Sequence, residues 1–354
     1  QPAWSGPAKW DSYAGVVGMH SMRNYDPVYH PIAVGNRVYF GSSADGTIRA
    51  LDARTGDQLW VYVTDAPVRI APAYHEGRLY FGSDDGYAYC LAADTGKLIW
   101  RKSPIPGAAR IPNNGKLISP YPVRTGVLVH AGRAYFGAAL MPWEDAYLCA
   151  VDAATGTTDG EELFVKKMSK VTLEGAMLAS PTKLYVPQGR SAPLVFNRRD
   201  GSPLGALSGG GGVFALLTPD LQFAHGPGNK TGWITMSNAE TKDKIASFDG
   251  GLEMIVVGNT AIVLKETAIA AFNRDTRAVK WAVPCENAVA MVMDQAAVYV
   301  GGKDYISAYN AENGQRQWTH QVKGRAHGIA IAQGRLLAST DRGILHAFAA
   351  QPIP

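Results

Sequence analysis

The chain has 354 residues, a formal net charge of +4 at pH 7 and 46% hydrophobic residues, with 39 glycines and 21 prolines. That balance excludes a disordered chain, and the lack of any long basic or long apolar run argues against nucleic-acid binding and against a membrane-spanning helix. The three cysteines, Cys90, Cys149 and Cys285, are an odd number without haem or zinc spacing, so they read as buried free thiols.

Residues 1–26 carry Trp4, Trp10 and Tyr13 in a Gly/Pro-rich setting and lack the pattern that follows. The opening at Gln1, without Met or a signal-peptide pattern, fits a mature chain or a module of a larger protein. From residue 38 the sequence repeats itself. Val38-Tyr-Phe-Gly-Ser, Asp45-Gly46, Ala50-Leu51-Asp52-Ala53, Thr55-Gly56 and Trp60 return as Leu79-Tyr-Phe-Gly-Ser, Asp85-Gly86, Cys90-Leu91-Ala92-Ala93, Thr95-Gly96 and Trp100, 40 positions later. A period near 40, built of short β-branched and aromatic bursts cut by turn residues, predicts four-stranded blades arranged in a ring. Strands A to D of a blade are expected to run from the axis outward.

The repeats are placed at about 27–64, 66–103, 119–166, 171–206, 211–248, 252–283, 286–321 and 325–349, with a Pro/Gly/Asn-rich insertion at 104–118 and Met141-Pro-Trp-Glu-Asp145 added in the third. The fold class is therefore all-β: one eight-bladed β-propeller over 1–354, with seven blades as the competitor because the fifth repeat is faint. The last repeat stops without an outer strand. A ring needs that edge covered, so 1–26 is assigned as the closing segment, with the closing strand near 8–18.

Asp52 to Gly56, Asp152 to Gly156, Asn197 to Gly201 and Asn310 to Gly314 fit the C–D turn: Asp or Asn caps the backbone and Gly takes positive φ. Trp60, Trp100, Trp281 and Trp318 follow on strand D, where an indole can wedge between blades. Aligned on the turn, Cys90 and Cys149 are offset by one residue and face opposite sides of their sheets.

The repeat, Val-Tyr-x-Gly-x-x-Asp-Gly followed by Ala-x-Asp-x-x-x-Gly-x-x-x-Trp, resembles that of the quinoprotein, or PQQ-like, propellers across nearly the whole chain. The resemblance implies an eight-bladed ring with tryptophan-docking motifs. The family holds quinone-dependent alcohol and sugar dehydrogenases and also cofactor-free, BamB-like binding scaffolds. A dehydrogenase of this kind holds PQQ under a vicinal Cys-Cys ring, with Ca²⁺ on Glu, Asn and Asp. No two cysteines are adjacent here, and Ser83-Asp84-Asp85 reads as a B–C turn rather than a calcium ligand set.

A site follows from the ring. The B–C and D–A loops share one face, and strand A lines the axis. Counting back from strand B gives Pro27, Arg69, Arg124, Glu174, Gly211, Gly250, Asn287 and Ala326 as equivalent positions at the axial mouth. Pro67-Val-Arg69 and Pro122-Val-Arg124 repeat one triplet there. With His327 nearby and Arg190 farther out on the same face, these groups form a candidate funnel for a carboxylate, a phosphate or an acidic sugar. The alternative is an internal network in which Arg69 and Arg124 pair with Glu174. No metal site is expected.

The sequence thus reads as a monomeric, non-catalytic propeller, secreted or periplasmic, that binds a protein partner or a small anionic or carbohydrate ligand without a cofactor. The alternative is an enzyme, either a PQQ- and Ca-dependent oxidoreductase or a carbohydrate-active one, working at the funnel.

Overall fold

The computed structural model describes residues 2–5, 28–107, 109–113, 115–189, 191–212, 214–228 and 232–349. All its regular elements are strands. In the first blade the sheet order follows the chain: Ile32–Val34, Arg37–Ser42, Thr47–Asp52 and Gln58–Val63. The first of these is half-buried, the two middle strands are mostly buried, and the outer strand is largely exposed. Five more four-stranded sheets repeat this meander: residues 73–102, 128–169, 178–206, 214–249 and 251–284.

The last sheet has six strands and gathers both final repeats. The described residues therefore form seven separate blade sheets, the competing count, and not eight. The two repeats join at Val322–Arg325. There the backbone stays paired: Tyr305 faces Gln321, Lys303 faces Arg325, and Ala326 goes on to face Thr340. Ala297–Asn310 and Arg316–Ala332 thus run unbroken through positions where the earlier blades turn. The sheet is completed by Pro2–Ser5, which pairs antiparallel with Ile344–Ala349, Ser5 opposite Ile344. An N-terminal strand thus meets the C-terminal repeat. The closing strand expected near 8–18 lies outside the described residues.

Indoles join neighbouring blades. The Trp60 indole N–H donates to the Ala93 carbonyl at 3.0 Å, that of Trp100 to Ala153 at 3.0 Å, and that of Trp281 to Ala311 at 3.1 Å. Each ring lies flat on the turn glycine of the next repeat. A Cβ at Gly96, Gly156 or Gly314 would sit 2.6–2.7 Å from it, so only glycine fits. Between blades the cores are continuous. Cys90 and Cys149, on opposite sides of their own sheets, meet in one cluster with Tyr80, Trp100 and Phe136, and Cys285 lies in another. All three thiols are buried and free, and burial pushes them up.

Candidate site at the axial mouth

The two Pro-Val-Arg triplets do the same work in successive blades. Pro67 accepts the Asp84 amide at 2.8 Å, and Pro122 accepts that of Ala139 at 3.2 Å. Val68 fills the space over Gly41 and Val123 that over Gly82, where a Cβ would lie within 2.6 Å of the valine. The triplet thereby locks each blade to the one before it and sets the arginine that follows.

Both arginines converge on Asp84. Arg69 Nε donates to Asp84 Oδ2 at 2.8 Å; Arg124 donates from Nε to Oδ1 at 2.9 Å and from Nη2 to Oδ2 at 2.8 Å. The Asp84 side chain is 1% exposed and that of Arg124 6%. Burial alone would push this carboxyl up. The guanidiniums of Arg124 and Arg69 outweigh it and hold Asp84 at about 2. The Asp84 carbonyl accepts the Ser119 amide at 2.8 Å, which fixes its peptide as well. Glu174 stands 3.8 Å from Arg124 Nη1, and its amide donates to Pro187.

The structure therefore brings Arg69, Arg124 and Glu174 together, with Asp84 as the hub. Reading Ser83-Asp84-Asp85 as turn residues holds for Asp85, whose carboxylate accepts the Tyr87 amide at 3.0 Å and the Tyr89 hydroxyl at 2.7 Å. Asp84 lies in the same turn, and its carboxylate in addition accepts from both arginines. The signal that identifies Asp84 is the pair of identical triplets flanking the turn with two consecutive aspartates. Asn287 is exposed, in the left-handed conformation at φ 53°, between the sixth and seventh sheets. His327 is half-buried within Arg316–Ala332. These two lie on other blades from the arginine cluster. Arg190 lies outside the described residues.

The 104–118 insertion leans over this face. Its hairpin, Ile111–Asn113 paired with Lys116–Ile118, is strapped to the first blade by Lys116 Nζ on the Ala44 carbonyl at 2.6 Å. Arg110 reaches Asp65, at 2.9 Å to the carboxylate. Burial pushes the Lys116 ammonium down; Asp45 opposes this and Arg69 adds to it. Leu117 on the hairpin is 57% exposed, and Trp143, on the added segment of the third repeat, is 75% exposed.

Sequence reasoning gave Glu253 little weight. It lies on the inner strand Gly251–Val257 and accepts the Met291 amide of the next blade at 2.8 Å. Burial pushes its carboxyl up to about 7, against the smaller downward pull of that hydrogen bond. Among the described residues no group of three or more His, Cys, Asp or Glu is arranged to hold a metal ion. The cysteines lie in inter-blade cores. No two of the three cysteines are adjacent in the sequence, so the vicinal Cys-Cys ring that the resemblance describes for dehydrogenases has no counterpart here. No helix among the described residues is long and apolar enough to cross a membrane.

Comparison with known proteins agrees with this architecture. A curated outer membrane protein assembly factor BamB from Burkholderia pseudomallei is 23% identical over 95% of this chain and 75% of its own length. The quinone-dependent alcohol dehydrogenase subunit of Gluconobacter oxydans is 33% identical, over 35% of this chain. That of Gluconacetobacter polyoxogenes is 28% identical, over 58%. The matched regions span only 17% and 28% of those two subunits. Among solved structures, the computationally designed Ika8 protein superposes with a TM-score of 0.70 at 15% identity, covering 99% of this chain and all of its own. Quinohemoprotein alcohol dehydrogenase from Comamonas testosteroni gives 0.67 at 12% identity, over 92% of this chain and 75% of that one. Both likenesses are of fold. The family model described as outer membrane protein assembly factor BamB matches residues 44–208 and 225–351, and the chain belongs to that PQQ-like propeller family.

Proposed function

We propose that this propeller is a non-catalytic module that docks a protein partner on the face where its B–C turns and D–A connections meet, within an assembly at the cell envelope, outside the cytoplasm. One observation carries this reading. The mouth arginines are anchored on Asp84, while the two segments added to the repeat raise Leu117 and Trp143 into solvent on that face. An indole that is 75% exposed is costly to leave in water and is a natural anchor for a protein interface. The relative matching most of the chain carries the name of an assembly factor, which points the same way. A small anionic or carbohydrate ligand at Arg69, Arg124 and Glu174 is the narrower form of the reading, and no cofactor is required.

Two measurements test it. Photo-crosslinking residues placed at 117 and 143 in the producing cell are expected to yield discrete protein adducts, and one placed at Val279, exposed on an outer strand, none. Adducts at all three positions, or at none, would count against a docking face. Titration with PQQ and Ca²⁺ is expected to give neither quinone uptake nor alcohol or sugar oxidation; stoichiometric uptake with turnover would replace this reading with the dehydrogenase one.

A further inference from the structure

Two blade junctions start from the same parts. Arg37 stands opposite Asp52 and Lys183 opposite Asn197, each at the start of its blade's own C–D turn. Two residues on, the Tyr39 hydroxyl donates to the Ala93 carbonyl of the next blade's turn at 3.2 Å, and that of Tyr185 to Ala239 at 3.0 Å. The residue after that alanine is an acid in both turns. Arg37 pairs with Asp94, and Lys183 pairs with Glu240.

The two junctions are finished differently. In the fourth blade the A–B turn is Ser180-Pro-Thr182, and both hydroxyls donate to Glu240 Oε1, at 3.2 and 3.3 Å. Lys183 Nζ takes Oε2 at 2.7 Å. In the first blade the same turn is Val34-Gly-Asn36. Val34 has no hydroxyl, a Cβ on Gly35 would meet nothing within 4 Å, and the Asn36 amide is turned to Asp52 Oδ2 at 2.8 Å. Asp94 therefore accepts from Arg37 alone among the described residues, and its side chain is 75% exposed against 36% for Glu240.

The space so left is a cleft of about 390 Å³ between the first two blades, at the end of the strands opposite the B–C turns. Tyr74, 40% exposed, and Leu59, 47% exposed, give it apolar walls, and the Tyr74 hydroxyl has no partner among the described residues. Its charges are answered locally. Arg37 pairs with Asp94, while Asp52 accepts the Arg54 and Thr55 amides at 2.7 and 3.1 Å and has the Arg54 guanidinium 4.0 Å away. Bonding capacity remains all the same. Arg37 gives Asp94 one of its five N–H groups, and one Asp94 oxygen accepts nothing among the described residues. An ion would find no surplus charge here, and a wholly apolar ligand would strand these donors and acceptors. An aromatic wall beside a donor and an acceptor suits a neutral molecule with one apolar face and adjacent hydroxyls, and the volume is that of a small-molecule site.

We propose that this cleft binds one neutral pyranose unit of a saccharide. The C–H face of the sugar lies on the Tyr74 ring, one hydroxyl donates to the open oxygen of Asp94, and its neighbour accepts from Arg37. The site is at the other end of the ring from the docking face described above, so the outcome of its test does not bear on that reading.

The test titrates the full ¹⁵N-labelled chain with the methyl pyranosides of glucose, galactose and mannose. At least one is expected to shift the amides of Gly35, Asn36 and Asp94 saturably, with a millimolar Kd. Binding is expected to weaken at least tenfold in Tyr74→Ala and to change by less than threefold in Tyr74→Phe, which keeps the ring. Val34→Ser/Asn36→Thr rebuilds the hydroxyl pair of the fourth blade and is expected to abolish binding without touching Tyr74, Arg37 or Asp94. Unchanged amide spectra away from the cleft show that each variant is folded. No saturable shift with any of the three sugars at tens of millimolar, or equal binding by Tyr74→Ala or by the rebuilt turn, would overturn the proposal. So would tighter binding of glucuronate or glucosamine than of the methyl glucoside, because the cleft would then be an ion site.

Discussion

Arg124 grips both oxygens of Asp84 from 40 positions further along the chain, and Arg69 shares one of them from the other side. One buried carboxylate thereby pairs with two guanidiniums and ties the second blade to the third. Removing it leaves charge in a dry place, which typically costs about 3–5 kcal/mol. Asp84→Asn is expected to lose that much in denaturant unfolding. The pH profile gives an independent check. The Asp84 pKa falls from 3.8 unfolded to about 2 folded, so its contribution is complete above pH 4 and is lost as pH falls toward 2. The amount is about 2 kcal/mol. Melting curves in that window should be steeper in pH for the wild type than for Asp84→Asn; parallel curves would contradict the ion-paired hub.

Packing and backbone strain can be separated at two glycines. Gly77 and Gly96 both have positive φ, 76° and 68°. A Cβ on Gly77 meets nothing within 4 Å, whereas one on Gly96 lies 2.6 Å from the Trp60 ring. Gly77→Ala should cost the left-handed penalty alone, about 1–2 kcal/mol. Gly96→Ala should cost that and a further 1–3 kcal/mol or so of overpacking. Adding Trp60→Ala to Gly96→Ala should recover part of the second cost. Equal losses for the two single variants would show that the indole does not bear on the turn.

The hairpin over the mouth buries Ile118 and is strapped down by two polar side chains. Lys116 bonds one backbone carbonyl and Arg110 an exposed aspartate, with no inter-sheet ladder to the blades among the described strands. Exposed pairs of this kind contribute about 0–1 kcal/mol each. In Arg110→Ala/Lys116→Ala, amide hydrogen exchange over 115–118 should therefore quicken at least tenfold, while global stability falls by no more than about 2 kcal/mol. Unchanged exchange would mean that the strap is not what orders the hairpin.

The strands, turns and indoles were legible because each has a local cause. Short β-branched and aromatic bursts between turn residues mark Arg37–Ser42 and Thr47–Asp52, positive φ demands Gly56 and Gly96, and Trp60 recurs at fixed distance from its turn. The number of sheets was not, because it depends on whether a connection stays paired. Nothing in Val322-Lys-Gly-Arg325 announces that Lys303 will find Arg325 across the junction. Asp84 was hidden for a related reason. A local turn explained it well enough, and of the partners that define it Arg124 comes from the next blade and Arg69 from earlier in its own repeat. The triplets Pro67-Val-Arg69 and Pro122-Val-Arg124 did point to the right arginines, since their repetition marked a shared structural position before any contact was visible.

Glu253 supplies a pH signature of opposite sign to that of Asp84. Its carboxylate bridges the inner strands of two blades through the Met291 amide, and burial raises it from 4.5 to about 7. A raised carboxyl binds its proton more tightly in the folded state. The associated stability is therefore complete below pH 4.5 and declines as pH rises through 7, leaving a deficit at pH 8. The full shift corresponds to about 3 kcal/mol, and the partial exposure of this side chain reduces the expectation to about 1–2 kcal/mol. Glu253→Gln keeps a side-chain oxygen for the Met291 amide and carries no charge. It should match the wild type below pH 4.5, exceed it by that margin at pH 8, and flatten the decline between. A variant less stable than the wild type at pH 8 would show that the ionised carboxylate, and not its neutral form, is what the inner ring is built to hold.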